Sequence, residues 1–355
     1  MTERMKRLQA EAIYVMLHYH EKTGKQKAKD LLKKAAGRYV SPKDYISWPT
    51  GLIANALMEN YERWENKDEV LSALEAYFDF WIKNAKPIYC IDDALCGTAL
   101  LALYKLTGAE KYRAGADKIA AYLYKIADED ADEKGSLPYR PSQKNNHIYV
   151  DGIGMMCPFL CEYGVTFGDD KAILLCIKQI KNMLEYGMDE DSFLPYHGYM
   201  YESKVKYGII GWGRAVGWLL MGIAGSLHFL PKEHLDYISL KEVFQRIADS
   251  AYYYQKANGA FAWQLEAQEG PQDSSATAMI TSAILKGIQT GIIDGSENAY
   301  GKKVRASAEF LAGCEKDGKI FVCSGECKGF SEYPQIYGAY PWSLGPGLDV
   351  LLQKE

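Results

Sequence analysis

Two kinds of helical segment alternate along the chain. Segments such as 68–84 and 169–187 carry apolar residues at i, i+3/i+4 and i+7 spacing, which is typical of helices with one face in water. Segments such as 152–166 and 214–229 are apolar or small on nearly every side, which predicts helices that are buried all round. The full pattern predicts almost no strands and twelve helices, at 4–20, 51–64, 68–84, 93–106, 110–127, 152–166, 169–187, 214–229, 240–257, 274–291, 296–313 and 343–353.

This alternation favours six helical hairpins that close into a ring, which is an all-α (α/α)6 barrel. The buried helices would form the inner layer and the amphipathic helices the outer layer. An open solenoid of helix pairs has the same composition, but solenoids end in a polar cap, whereas the last predicted helix is apolar enough to need a neighbour. Since no linker rich in proline, glycine or serine divides the chain, we expect residues 1–355 to form a single domain.

Charge and composition exclude some classes of partner. The chain has 41 basic and 46 acidic side chains and a net charge of −5, whereas a nucleic-acid partner needs a basic face. The longest apolar stretch, 218–230, is shorter than the roughly 20 residues of a membrane span, and we expect no membrane partner and no signal peptide. Several of the eight cysteines fall in apolar helical runs, so a reducing, cytoplasmic compartment is the simplest interpretation. Cys323 and Cys327 have no second pair to complete a zinc site, and we expect no metal.

Polar and aromatic residues gather where the buried helices begin. They are Trp48, Asp92 and Asp93, Tyr149 and Asp151, Trp212 and Arg214, Asp273, and Tyr340 and Trp342. If the six inner helices are parallel, all these residues meet at one mouth of the ring. Aromatic faces stack on sugar rings, carboxylates accept hydrogen bonds from hydroxyls, and helix N-termini favour an anion. The pattern therefore predicts a pocket for a carbohydrate.

Each of these residues also has a purely structural interpretation. Aspartate is a favoured helix N-cap, so Asp92, Asp93 or Asp151 taken alone is more often a cap than a catalyst. We interpret Asp273, which two serines follow, as a cap. The tryptophans are equally compatible with core packing, and the loop residue His197 is a weak pointer to function. The spacing leaves open which of Asp92 and Asp93 points inward.

Three motifs occur in order along the chain. They are Tyr149-Val-Asp151-Gly-Ile-Gly-Met-Met, Leu194-Pro-Tyr-His197-Gly and Trp212-Gly-Arg214-Ala-Val-Gly-Trp218. Trp48-Pro-Thr-Gly51 opens the first inner helix, and Asp92 stands five residues before Gly97. Together, over residues 40–350, the chain resembles glycoside hydrolase family 105, the unsaturated rhamnogalacturonyl hydrolases.

The resemblance implies an (α/α)6 barrel and an unusual hydrolysis that needs no metal or cofactor. The substrates would be short oligosaccharides left by pectin lyases, which end in a 4,5-unsaturated uronic acid. An aspartic acid protonates C4 of the enol ether, and water adds at C5. By motif position, Asp151 is the general acid/base and Asp92 the second carboxylate. The expected substrate-binding residues are His197, Arg214, Trp212, Trp218, Trp48, Tyr149, Arg140 and Trp342.

The chemistry places a demand on the pKa of the acid. A helix N-terminus lowers the pKa of an aspartate, yet the mechanism needs a protonated carboxyl near neutral pH. Burial and a neighbouring like charge raise a carboxyl pKa. We therefore expect Asp92 to lie close enough to Asp151 to share a proton, and Arg214 to face the carboxylate or hydroxyls of the substrate.

The chain also departs from the family pattern, and alternatives stay open. Arg140 and Tyr149 stand where the family often has histidine and tryptophan, so Arg140 and Lys144 are candidates for binding an acidic neighbouring sugar. The nearest alternative is an unsaturated glucuronyl hydrolase that acts on glycosaminoglycan fragments. A sugar epimerase would want several pocket histidines, and the chain has six in all. A non-catalytic helical-repeat binding protein is a further alternative. The oligomeric state is not indicated.

Overall fold

The computed structural model describes residues 1–37, 46–140, 147–330 and 332–353. Over those ranges the chain forms thirteen α-helices. They are α1 (Glu3–His18), α2 (Gly24–Ala35), α3 (Trp48–Glu59), α4 (Lys67–Lys83), α5 (Cys96–Thr107), α6 (Glu110–Glu129), α7 (Asp151–Phe167), α8 (Asp170–Tyr186), α9 (Gly213–Phe229), α10 (Tyr237–Tyr253), α11 (Ser274–Gln289), α12 (Lys302–Cys314) and α13 (Pro341–Leu352). Short 3₁₀ turns at Tyr61–Arg63 and Ile91–Leu95 and a π turn at Glu297–Gly301 complete the helical elements.

The helices form two concentric layers. Within the described part of the chain, six helices close into an inner ring in the order α3, α5, α7, α9, α11, α13, and α13 packs back against α3. The outer helices cover this ring, since α8 contacts α7, α10 contacts α9 and α12 contacts α11. The predicted (α/α)6 barrel is therefore confirmed, and the open solenoid is wrong because the last inner helix meets the first.

The inner helices approach one another closely, as their small residues allow. Gly222 in α9 faces the backbone of α7, where a Cβ atom would lie 2.6 Å from the carbonyl oxygen of Ile153. Any larger residue at this position would push the two helices apart. Glycine costs helix propensity, and the close contact between two fully buried helices offsets that cost.

One helix lies outside the predicted set. Helix α2 has no buried residue, and its short apolar stripe, Ala28, Leu31, Leu32 and Ala35, stays exposed instead of packing on the ring. A capping box holds its start: Gln26 N–H donates to the Thr23 hydroxyl, and the Gln26 side chain accepts from Thr23 N–H. Threonine followed three residues later by glutamine was the signal in the sequence.

Seven short strands also lie outside the prediction of almost no strands. The described strands are β1 (His147–Tyr149), β2 (Gly198–Met200), β3 (Lys206–Tyr207), β4 (Glu315–Lys316), β5 (Lys319–Ile320), β6 (Cys323–Ser324) and β7 (Tyr337–Gly338). Segments of two or three residues are too short to show an alternating pattern. The antiparallel sheet β1–β2–β3 sets Tyr149 opposite Gly198, and it therefore brings Tyr149 beside His197.

Among the described residues, none of the helices is both long enough and apolar enough to cross a membrane.

Candidate active site

A cavity of about 360 Å³ opens at the end of the ring where the inner helices begin. This volume is within the range of pockets that bind small ligands. Every predicted site residue except Trp342 lines it. The full lining is Trp48, Asp92, Tyr139, Arg140, His147, Tyr149, Asp151, Met155, His197, Trp212, Arg214, Trp218 and the segment 326–329. Residues far apart in the chain therefore meet in one place, as parallel inner helices require.

Asp151 and His197 face each other in this cavity. Asp151 is the first residue of α7, and its Oδ2 lies 3.2 Å from Nε2 of His197 without the alignment of a hydrogen bond. Such contacts often tighten only when substrate binds. The Val150 N–H donates to the carbonyl of His197 at 3.0 Å and fixes the approach of the two segments. Because Asp151 Oδ2 is shut off from solvent, Oδ1 is the carboxyl oxygen presented to the cavity.

Asp92 is the second carboxyl of the site. It lies in the turn Ile91–Leu95, and burial raises its pKa to about 6, with a smaller contribution from the charge of Asp151. The Tyr139 hydroxyl and Arg140 act in the opposite direction. Asp92 Oδ1 is buried without a hydrogen-bond partner. A carboxyl in this environment holds its proton near pH 6.

The structure decides between the two neighbouring aspartates. Asp92 lines the cavity. The carboxyl of Asp93 accepts a hydrogen bond from Tyr89 N–H at 2.9 Å, and Asp93 is absent from the cavity wall. Asp92 is therefore the inward carboxylate, a choice that the spacing left open.

Arg214 lines the cavity, but its terminal nitrogens bind the protein itself. Nη1 donates to the Ser324 carbonyl at 3.1 Å and to the Ser275 hydroxyl at 3.3 Å, and Nη2 donates to the Gly325 carbonyl at 2.8 Å. Arg214 thus ties β6 to the start of α11, and its expected contact with substrate stays a prediction.

Asp273 caps α11 as expected, because it accepts from Ser275 N–H at 2.9 Å. The same carboxylate also accepts from the backbone N–H of Ser324 at 3.1 Å and from its hydroxyl at 2.6 Å. Its Oδ2 lies 3.9 Å from Arg214 Nη1. The cap therefore anchors β6 together with Arg214.

Tryptophans form a large part of the cavity wall. The rings of Trp48 and Trp218 meet edge to face at 6.0 Å, and Trp212 lies 4.5 Å from the ring of His197. The Arg214 guanidinium stands 4.6 Å from the Trp212 ring. These three indoles make much of the wall apolar, and Trp48 is the one of them that is more than 2% exposed.

Trp342 corrects the prediction for one aromatic residue. Its indole N–H donates to the Ser324 carbonyl at 2.9 Å, and its ring stacks on Tyr340 at 4.7 Å. It contacts Trp48 at 5.0 Å from behind the wall and does not line the cavity. Both tryptophans stand at inner-helix starts, but only Trp48 faces inward, so Trp342 supports the wall instead of contacting a ligand there.

Several lining residues escaped the sequence analysis. Tyr139 interacts with Asp92, Met155 lies one helical turn after Asp151, and His147 is the first residue of β1. The segment 326–329 reaches the cavity from the connection between α12 and α13, where neither a helical nor a strand pattern marks it. Lys144, which was expected to bind an acidic sugar, lies outside the described residues.

Within the described residues, no cluster of three or more histidine, cysteine or acidic side chains is placed to hold a metal ion. Cys323 is buried, whereas Cys327 lines the cavity.

The sequence profile of Glycosyl Hydrolase Family 88 matches residues 19–340, which is most of the chain. The chain belongs to this family. Family 88 membership makes the protein a glycoside hydrolase, and it sets aside the epimerase and the non-catalytic repeat protein as alternatives.

Relatives of this family 88 hydrolase align with most or all of its chain. It is 24% identical over 325 residues to the unsaturated rhamnogalacturonyl hydrolase YesR of Bacillus subtilis, which covers 87% of this chain and 90% of YesR. A possible family 105 member from Klebsiella pneumoniae superposes with a TM-score of 0.85 at 17% identity, over 100% of this chain and 94% of that one. An unsaturated glucuronyl hydrolase from Bacillus sp. GL1 gives a TM-score of 0.70 at 18% identity, over 99% and 97%. The expected resemblance to family 105 is confirmed.

Proposed function

We propose that this hydrolase releases a 4,5-unsaturated uronic acid from the non-reducing end of disaccharides or short oligosaccharides derived from rhamnogalacturonan. The observation that carries the proposal is that Asp92, Asp151 and His197 meet in one aromatic-walled cavity. The buried carboxyl of Asp92, with a pKa of about 6, lets the carboxyl pair retain a proton close to neutral pH, and hydration of an enol ether requires a proton donor.

Asp151 is the proposed acid and base. It gives its proton to C4, and the C4–C5 π electrons form the new C–H bond, which leaves positive charge on C5 and the ring oxygen. The oxygen of a water molecule bonds to C5, and its proton returns to the Asp151 carboxylate. The C5–ring oxygen bond then breaks to give a ketone at C5, and the hemiacetal left at C1 expels the neighbouring sugar. Asp92 is the second carboxyl of the site, and we expect the two carboxyls to share a proton.

The remaining lining residues suit an acidic sugar. Arg140 and Lys328 bring positive charge to the cavity, and guanidinium and ammonium groups bind carboxylates. Trp48, which is partly exposed in the wall, is the indole we expect a sugar ring to stack on. Arg140 is the residue we expect to contact the carboxylate of the uronic acid or of an acidic neighbour.

Relatedness to YesR along almost the entire chain supports rhamnogalacturonan as the source of the substrate. We also propose a cytoplasmic location. All eight cysteines are unpaired, which suits a reducing compartment. Short oligosaccharides, already cut by a lyase, are substrates that such an enzyme would receive after uptake.

Loss of the ultraviolet absorbance of the enol ether tests the proposal directly. The purified chain is incubated with an unsaturated rhamnogalacturonan disaccharide, an unsaturated glycosaminoglycan disaccharide and the saturated counterpart of the first. We expect rapid loss of absorbance with the first substrate, slower loss with the second and no sugar release from the third. Faster turnover of the glycosaminoglycan substrate would assign the glucuronyl specificity instead. Stable absorbance with both unsaturated substrates, from a folded protein, would contradict the proposal.

A further inference from the structure

The side chain of Tyr333 reaches His197 from the side opposite Asp151. Its hydroxyl oxygen lies 2.7 Å from Nδ1 of His197, while Nε2 of the same ring faces Asp151. The two residues are 136 positions apart in the sequence, so the contact depends on the fold alone. His197 is thus hydrogen-bonded at Nδ1 and faces a carboxylate at Nε2.

The other contacts of Tyr333 favour its hydroxyl as the donor to His197. The backbone N–H of Ile209 donates to the Tyr333 hydroxyl oxygen at 3.4 Å, so the oxygen already acts as an acceptor. Burial raises the pKa of Tyr333 well above its ordinary value, so the hydroxyl keeps its hydrogen. At 2.7 Å, His197 Nδ1 is placed to accept that hydrogen, and in this arrangement Nδ1 carries a lone pair.

The packing around the imidazole preserves this arrangement. The ring of His197 is 1% exposed and is enclosed by Trp212 at 4.5 Å, Tyr149 at 5.0 Å and Phe330 at 5.3 Å. Gly208 permits the close approach, because a Cβ atom there would lie 2.5 Å from His197 Cβ and 2.9 Å from the Tyr333 hydroxyl. A ring so enclosed cannot turn over to exchange its two nitrogens without displacing its neighbours.

We propose that Tyr333 is a positioning residue that holds His197 in the Nε2–H tautomer, so that the Nε2–H group faces Oδ2 of Asp151 at 3.2 Å and aligns with it when substrate binds. The Nε2–H group then excludes a proton from Oδ2, and the acid proton of Asp151 resides on Oδ1, the oxygen presented to the cavity. In the opposite tautomer the Nε2 lone pair would bind a proton on Oδ2, away from the substrate. The use of this proton in catalysis rests on the proposed function, whereas the tautomer does not.

Nuclear magnetic resonance of the full chain, selectively labelled with ¹⁵N-histidine, measures the tautomer without any substrate. The chain has six histidines, and His197→Gln assigns the signal of interest. At neutral pH we expect a single Nε2–H tautomer for His197 in the wild type. In Tyr333→Phe we expect a shift towards the Nδ1–H form, and in Tyr337→Phe no change. Tyr337 is a matched control because its hydroxyl donates to Gln335 at 3.0 Å and does not contact His197.

Kinetics on the unsaturated disaccharide complete the test. Tyr333→Phe should lower kcat by about 10–100-fold, the scale seen for groups that orient a functional histidine, with KM little changed. If Tyr333→Phe does not fold, the tautomer of His197 in the wild type decides the matter, because that measurement needs neither the variant nor a substrate. An Nδ1–H or doubly protonated ring in the wild type, or an unmoved signal in folded Tyr333→Phe, would overturn the proposal. An inactive wild type with the expected tautomer would instead contradict the proposed function.

Discussion

Asp92 and Asp93 are consecutive residues of the turn Ile91–Leu95, but the carboxyl of Asp93 binds the backbone and that of Asp92 lines the cavity. Asp93 accepts a hydrogen bond from the Tyr89 backbone at 2.9 Å and fixes the turn. Asp92 lines the cavity with one oxygen unpartnered and its pKa raised by burial to about 6. Asp93 therefore supplies the carboxylate that holds the backbone of the turn, and Asp92 remains available for chemistry.

Asp151→Asn should lower kcat by about 10²–10⁴-fold or more while the fold is retained, since an amide cannot donate and recover the proton of a positioned acid/base. The loss is measured as the rate at which enol-ether absorbance disappears. Asp170→Asn is a matched control, because Asp170 is also the first residue of its helix but lies on an outer helix away from the cavity. Normal turnover by Asp151→Asn would defeat the assignment.

Asp92→Asn should make the protein less active but more stable above pH 6. The folded-state pKa of Asp92 is about 6 and the ordinary value is 3.8, so the folded chain binds this proton more tightly than the unfolded chain. Stability therefore falls as pH rises from about 4 to 6, by up to about 3 kcal/mol at roughly 1.4 kcal/mol per unit. Replacing the carboxyl by a neutral amide removes this cost.

Urea unfolding at about pH 4 and at about pH 7.5 measures the effect. The free energy of unfolding of Asp92→Asn should exceed that of the wild type only at the higher pH. Asp93→Asn is the neighbouring control, and its amide oxygen can still accept from Tyr89. An equal difference at both pH values would show that ionisation of Asp92 is not the cause.

Tyr139→Phe should move the alkaline limb of the activity profile to higher pH. The Tyr139 hydroxyl hydrogen bond lowers the pKa of Asp92, so its removal raises that pKa, by about 1 unit as an order of magnitude. A protonated Asp92 then persists to higher pH. The measurement is kcat/KM across pH, with Tyr124→Phe as control, since the Tyr124 hydroxyl donates to Asp169 on the outer surface. A downward shift, or none, would separate Tyr139 from the titration of Asp92.

The architecture could be predicted from the sequence because an inner helix must be apolar on nearly every side, and this pattern extends along its whole length. A helix that is apolar on all sides, such as α7 or α9, has to be enclosed by others, and six of them alternating with amphipathic helices leave few arrangements. Helix α2 has no such requirement, since it buries no residue, and the pattern did not reveal it.

The residues of the site could be predicted only in part from the sequence, for two physical reasons. Residues at helix starts were correctly placed at one mouth, but the direction of each side chain depends on its neighbours: Trp48 faces the cavity while Trp342 donates to Ser324 behind it. Contacts made across the fold leave no local pattern either. Tyr333 meets His197 from a segment without periodicity, and only the folded chain brings them to 2.7 Å.

Trp48→Ala and Trp342→Phe should therefore have different effects. Trp48 forms part of the cavity wall, so its loss should raise KM for the disaccharide through lost ring stacking, worth about 1 kcal/mol or about fivefold. Trp342→Phe keeps an aromatic ring but leaves the Ser324 carbonyl without the indole donor, so it should lower the free energy of unfolding by about 1–3 kcal/mol with KM little changed. Kinetics and urea unfolding on both variants separate the two roles. A large rise in KM for Trp342→Phe at unchanged stability would restore Trp342 to the substrate-binding surface.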